Sequence, residues 1–111
     1  TRRGFHKGGP KLHTADLELD RPRRIVTRGT EQIHLTLKEF ALLELLMLRS
    51  PDPVLRSEII EHVWSYGFDT DTNIVEVYIN RLRQKIDQDH VSKLIHTVRG
   101  TGYRIALPEQ R

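Results

Sequence analysis

Apolar and polar residues alternate in three short stretches near the start of the chain: 16–20 (Asp-Leu-Glu-Leu-Asp), 24–27 (Arg-Ile-Val-Thr) and 31–35 (Glu-Gln-Ile-His-Leu). Successive side chains of a strand face opposite sides, so partial alternation broken by Asp20, Pro22 and Gly29 predicts a small antiparallel meander. The pattern changes after Leu35. Thr36 and Glu39 have the spacing of a capping box, in which the hydroxyl accepts from the Glu39 N–H and the carboxylate reaches back. They open a helix predicted over 37–49, apolar nearly all round and therefore expected at the centre of the core. Ser50-Pro51-Asp52-Pro53 ends it, because a residue before proline is driven out of the helical region. A shorter helix is predicted over 56–64, with Ile59, Ile60, Val63 and Trp64 as its apolar face.

A polar loop over 65–72 leads to a third helix, predicted over 73–87, and the chain turns at Asp87-Gln-Asp-His90. Residues 94–98 and 103–105 flank Arg99-Gly-Thr-Gly102 as the two arms of a hairpin with a glycine-containing turn. Residues 1–11, with their glycines, Pro10 and cations, read as the remnant of an interdomain linker. The domain proper is expected at 12–107, followed by a tail at 108–111.

Composition narrows what such a fold could do. At 111 residues the chain suits one domain. It has no cysteine, which excludes disulfides, zinc fingers and thiol chemistry. The longest apolar run, 37–48, is interrupted by Lys38, Glu39 and Glu44 and falls short of the roughly 20 residues needed to cross a bilayer. No membrane partner is expected. The first residues hold neither an initiator Met nor an apolar leader, so the chain reads as a fragment of a longer cytoplasmic protein. Net charge is only +3, but residues 1–28 hold eight Lys/Arg against three acids. Elsewhere the visible cluster is Arg81, Arg83 and Lys85, with no acid from 77 to 86. Such a triplet is read either as a solvated helix face or as a footprint for an anionic partner.

The third helix separates these readings. Advancing 100° per residue, Val75, Ile79, Leu82 and Ile86 fall within about 60° of one another and form a core stripe. Asn73, Glu76, Val77, Asn80, Arg81 and Gln84 lie on the opposite face, with Arg83 and Lys85 on the flanks. That inventory suits the major groove of DNA: Arg binds guanine through two acceptors, Asn or Gln binds adenine, and a valine methyl packs on thymine. A β-branched Val77 is an unusual choice for an ordinary solvent face, although it would serve a protein contact as well. At the hairpin turn, Arg99 is an extended cation of the kind that enters a narrow minor groove.

Helix, helix, loop, helix and a basic glycine-tipped hairpin is the order of a winged helix-turn-helix. The fold class expected is α+β, with an N-terminal antiparallel β-sheet, three helices and a C-terminal β-hairpin wing. Glu61-His-Val-Trp64, Asp69-Thr-Asp-Thr-Asn73, Val75-Glu-Val77, Arg81-Leu-Arg83 and Thr97-Val-Arg-Gly-Thr-Gly-Tyr103 together resemble the DNA-binding effector domain of OmpR/PhoB-type response regulators, over about 12–107. The wording from Phe68 to Glu76 is similar to a subgroup that includes heavy-metal-responsive regulators.

The resemblance implies a bacterial two-component transcription regulator that reads double-stranded promoter DNA. It places the third helix in the major groove with Asn73, Val77, Asn80 and Arg81 towards the bases, and Arg99 of the wing in the minor groove. It assigns Arg56, Trp64, Arg83 and Thr97 to the DNA backbone, contacts that set register without reading sequence. Asn80 departs from the Arg often found there, and Leu55 from the usual Ser or Thr helix cap. The loop containing Tyr66, Gly67, Phe68, Asp69 and Asp71 resembles one that touches RNA polymerase. Further implied are a head-to-tail dimer on direct repeats, about 10–10.5 bp apart, and a phosphorylated receiver domain outside this chain.

Each residue also has a plainer reading. Trp64 fills core space, as do Tyr103 and Leu82; Arg56 could pair with Glu58 or Glu61, and Arg83 with Glu76 or Asp87. Asp69-x-Asp71-x-Asn73 imitates half of a calcium loop, but Ile74 stands where that loop needs glycine and Asn80 where it needs glutamate. The six histidines show no ligand spacing, and Arg99-Gly-Thr-Gly102 lacks the lysine and spacing of a phosphate loop. No cofactor, metal or catalysis is expected. The competing function is a protein-docking winged helix whose basic helix meets an acidic partner. Metal- or carboxylate-assisted hydrolysis at Asp69 and Asp71 is the third.

Overall fold

The computed structural model describes residues 9–65 and 73–107. The chain begins with four short strands, β1 (Lys11–Thr14), β2 (Leu17–Asp20), β3 (Ile25–Arg28) and β4 (Glu31–Ile33). They pair antiparallel in sequence order. Leu12, Leu17, Leu19, Val26 and Ile33 point inward from this sheet and are buried. The expected meander therefore gains a strand. β1 escapes the alternation pattern because only Leu12 of its four residues is buried, while Lys11 and His13 project outward onto Glu18, at 3.4 and 3.1 Å. Lys11, expected as the last linker residue, is already paired with Asp20.

Helix α1 (Leu37–Arg49) has the bounds expected of it. Thr36 Oγ1 accepts from the Glu39 N–H at 3.3 Å, and Glu39 Oε1 accepts from the Thr36 N–H at 2.9 Å, which completes the capping box. Phe40, Leu42, Leu43, Leu45, Leu46 and Met47 are buried, so α1 is the post around which the sheet and the other helices pack. Strand β5 (Val54–Leu55) follows, then α2 (Arg56–Val63), then α3 (Ile74–Leu82). Val75, Ile79, Leu82 and Ile86 are all fully buried, as the stripe predicts. The helix does not run to 87 as a regular α-helix. Arg83–Asp87 forms a wider π-helical turn, which closes the angle between successive side chains and lets both Ile86 and Asp87 face inward. Strands β6 (Ile95–Val98) and β7 (Gly102–Ile105) complete a three-stranded sheet in the order β5-β7-β6. This is a winged helix-turn-helix, with β6, β7 and their turn as the wing.

Glu39 is a buried acid whose carboxylate also accepts from Lys85 Nζ at 2.7 Å. Burial pushes its carboxyl up, but the bonds from Lys85 and the Thr36 N–H outweigh this and hold it below the usual range. A carboxyl lowered by folding adds stability above its unfolded pKa, and that stability is lost as pH falls through the folded value. Glu39→Gln, which keeps the shape of the cap, should therefore cost about 1–2 kcal/mol at neutral pH. It should also flatten the loss of stability below about pH 5. Denaturant midpoints measured across pH test this, and parallel acid limbs for the two proteins would refute it.

Candidate nucleic-acid interface

The expected cationic cluster on the third helix separates into three different environments. Lys85 turns back across α1, bonding Glu39 and the His34 carbonyl. Arg83 donates from Nη2 to Thr97 Oγ1 at 2.7 Å and lies 5.9 Å from the Tyr103 ring centroid. It meets neither Glu76 nor Asp87, the two acids its spacing offers, because both already have arginine partners. Arg81 alone points outward. Its guanidinium stacks over Tyr78, 4.9 Å from the ring centroid, and it has no ion pair among the described residues.

Tyr78 in turn meets Trp64 edge-on, at 5.1 Å between centroids and 78° between planes. Trp64 follows the last turn of α2, its main-chain N–H donating to the Ile60 carbonyl, and packs half-buried against the core. Lys38 from α1 lies 6.0 Å from the indole centroid and donates to the Val63 carbonyl at 2.8 Å. A column of Trp64, Tyr78 and Arg81 thus joins the end of α2 to the outer side of α3. Asn73 and Asn80 are exposed and Val77 is half-exposed on the same helix, as the 100° projection places them.

The N-terminus of α2 is tied to α3 by a forked pair. Arg56 donates from Nε to Glu76 Oε2 at 2.8 Å and from Nη2 to Oε1 at 3.3 Å. This corrects the expectation that Arg56 pairs with Glu58 or Glu61. Glu58 instead receives Arg49 from α1 and the Leu55 N–H, the latter at 2.9 Å. Leu55, with no side-chain acceptor of its own, is thus the N-cap residue of α2. The Arg56 bond is the main reason the Glu76 carboxyl is held below the usual range. Burial pushes the Tyr103 phenol up.

Arg99 stands exposed at the tip of the wing, where Gly100 takes a positive φ of 77° and the Thr101 N–H closes the turn on the Val98 carbonyl at 3.0 Å. It too has no ion pair among the described residues. A groove of about 370 Å³ runs between the helices and the wing, lined in part by Arg56, Glu76, Thr97, Arg99 and Tyr103. The fold therefore gathers Arg56 and Thr97 beside Arg99, and Arg83 beside Thr97. Tyr66, Gly67, Phe68, Asp69 and Asp71 lie outside the described residues. Among the described residues, no group of acids and histidines could hold a metal ion, and no helix is long and apolar enough to cross a membrane.

The family described as transcriptional regulatory protein, C terminal, matches residues 29–105. The chain belongs to that family. Among curated relatives, the transcriptional regulatory protein PcoR of Escherichia coli is 50% identical over 96 residues, or 86% of this chain and 42% of PcoR. The transcriptional regulatory protein CusR of Escherichia coli strain K12 is 46% identical over 99 residues, covering 89% of this chain and 44% of CusR. The chain thus spans less than half the length of these relatives. The DNA-binding domain of RstA from Klebsiella pneumoniae, solved in complex with the RstA box, superposes with a TM-score of 0.78 at 26% identity, covering 88% of this chain and 98% of that one. The DNA-binding domain of CpxR from Escherichia coli gives a TM-score of 0.77, also at 26% identity, with 88% and 97% covered.

For this OmpR/PhoB-type regulatory domain, sequence reasoning missed Tyr78, Glu76 in its role as partner to Arg56, and the pairing of Arg28 with Asp87. Tyr78 was accessible in principle, since it stands three residues before Arg81 and such helix positions are neighbours. In the sequence Arg28 stands out only as part of the basic excess of residues 1–28, and Asp87 as the first residue of a turn. The structure brings them together: they are 2% and 3% exposed and face each other in the interior.

Proposed function

We propose that this domain binds specific double-stranded promoter DNA, with α3 in the major groove and the wing in the minor groove. The observation that carries this reading is the pair of exposed arginines, Arg81 on α3 and Arg99 at the wing tip, left without carboxylate partners while other cations around them are engaged within the fold. Asn73, Val77, Asn80 and Arg81 read base edges. Arg56, Trp64, Arg83 and Thr97 meet the backbone, where the Arg83–Thr97 bond pre-sets one side chain for a phosphate and limits what it loses on binding. The reaction is binding only; the chain regulates transcription and performs no catalysis. Relatives more than twice as long fit a receiver domain as its regulatory partner; its resemblance to OmpR/PhoB-type regulators extends the proposal to a head-to-tail dimer on direct repeats, and to RNA polymerase as the partner of the loop containing Tyr66, Gly67, Phe68, Asp69 and Asp71.

Selection of bound duplexes from a random pool at near-physiological salt tests the reading. The expected result is one enriched motif, repeated directly about one helical turn apart. Binding without enrichment, lost as salt rises, would leave phosphate attraction alone and favour a protein-docking role for the same face. Arg83→Ala should weaken all duplexes alike and lower the salt slope by about one unit. A change in base preference with an unaltered slope would take Arg83 off the phosphate.

A further inference from the structure

One ion pair in this fold is buried where stability alone gives little reason for it. Arg28 closes β3 and Asp87 closes the π-helical turn after α3, and neither reaches solvent. Arg28 Nη1 donates to Asp87 Oδ1 and to the Ile86 carbonyl, both at 2.9 Å. Nη2 donates to the Ser92 carbonyl, and Nε to Asp16 Oδ1 at 3.0 Å. Asp87 accepts in addition from the Leu94 N–H, at 3.1 Å to each oxygen, and from the Ile95 N–H at 3.0 Å to Oδ2. Lys93 Nζ closes the same corner on the Asp87 carbonyl at 2.7 Å.

Taking such a pair out of water costs about as much as its attraction returns, and well-packed apolar residues of similar volume often hold a fold equally well. What apolar residues lack is direction. A planar guanidinium with donors in fixed positions and a carboxylate bonded on both oxygens allow one mutual placement of the groups around them. Here those groups are the end of α3, the first residue of β6, and β3 of the N-terminal sheet. The helix ending at this corner carries Arg81, and the strand beginning at it leads to Arg99.

We propose that Arg28 and Asp87 are a positioning pair that fixes the register between the recognition helix and the wing, so that Arg81 and Arg99 engage adjoining grooves of one duplex together. The proposal rests on the DNA-binding reading above. Two separate contacts on a rigid body reach their combined affinity only if their spacing matches that of the grooves. Loosening the corner leaves each contact possible and their simultaneous formation costly.

The test uses the duplex selected by the native domain, together with a series in which the bases facing the wing are moved by one or two base pairs relative to those facing α3. Arg28→Met with Asp87→Leu replaces the pair by apolar volume, and Arg28→Lys keeps the charge but removes the fork. Both variants should melt cooperatively and retain native non-specific binding and salt slope, since the exposed cations are untouched. Affinity for the selected duplex should fall about tenfold or more, within the 10³-fold or larger gap between specific and non-specific binding, and shifted duplexes should lose less than they do with the native domain. Because the chain holds no cysteine, spin labels at Gln84→Cys and Thr101→Cys report the helix–wing distance directly, and its distribution should broaden in the variants. Folded variants with native affinity, native spacing dependence and a narrow distance distribution would overturn the positioning role while leaving DNA binding intact. A native domain that selects no duplex would overturn the DNA-binding reading and this role with it. If the double substitution fails to fold, Arg28→Lys alone decides between these outcomes.

Discussion

Gly102→Ala should destabilise the domain by about 3 kcal/mol or more, beyond the usual range for an overpacked site. A Cβ at this position would stand 1.9 Å from the Val54 carbonyl oxygen and 3.0 Å from its carbon. Those are main-chain atoms of a neighbouring strand, so no side chain can swing aside. Gly102 is paired with Leu55 on one side and Val98 on the other. Relief must therefore open the β5–β7 pairing that joins the wing to the start of α2, where Arg56 sits. Denaturant unfolding of Gly102→Ala beside Gly100→Ala is the measurement. Gly100 has a positive φ of 77° but nothing within 4 Å of an added Cβ, so its substitution should cost only about 1–2 kcal/mol. Equal costs at the two positions would mean that β5 does not approach β7 as closely as described.

Arg81→Ala should weaken specific DNA binding by about 1–3 kcal/mol and relax preference at one base pair. That corresponds to a fall in affinity of about 5- to 150-fold. Stacking on Tyr78, which is itself braced by Trp64, holds the guanidinium over the outer side of α3 before DNA arrives, so little side-chain freedom is lost on binding. Arg81→Lys should recover only part of the loss, because an ammonium lacks the fork that meets two acceptors of guanine. Repeating the duplex selection with each variant measures both effects. A loss shared equally by all sequences would make Arg81 a phosphate contact and remove it from base reading.

The parts of the fold legible in the sequence were those governed by neighbours in the chain. The capping box at Thr36 and Glu39 fixed where α1 begins, and Pro51 and Pro53 fixed where it ends. Helical periodicity placed Val75, Ile79, Leu82 and Ile86 in the core, and Asn73, Val77, Asn80 and Arg81 away from it. Strand β1 was illegible because one buried leucine between two polar residues carries no pattern; its partner β2 defines it. The wide turn at 83–87 escaped for a related reason. Advancing 100° per residue assumes the regular helix that this turn abandons.

Charge is where local rules stopped. Arg49 meets Glu58 nine residues on, Arg56 meets Glu76 twenty residues on, and Arg28 meets Asp87 fifty-nine residues on. Helix and strand geometry relates only positions two to four apart, so the sequence offered each arginine the wrong carboxylate or none. By itself the sequence determined the three helices, three of the four N-terminal strands, the wing hairpin and their order, with the core stripe and the side chains turned outward on α3 and the wing. Only the tertiary structure decided which cations are neutralised inside the fold and which, Arg81 and Arg99 among them, stay available to a partner. That choice depends on which elements pack together, because a carboxylate competes for a cation only when the fold brings the two within a few ångströms.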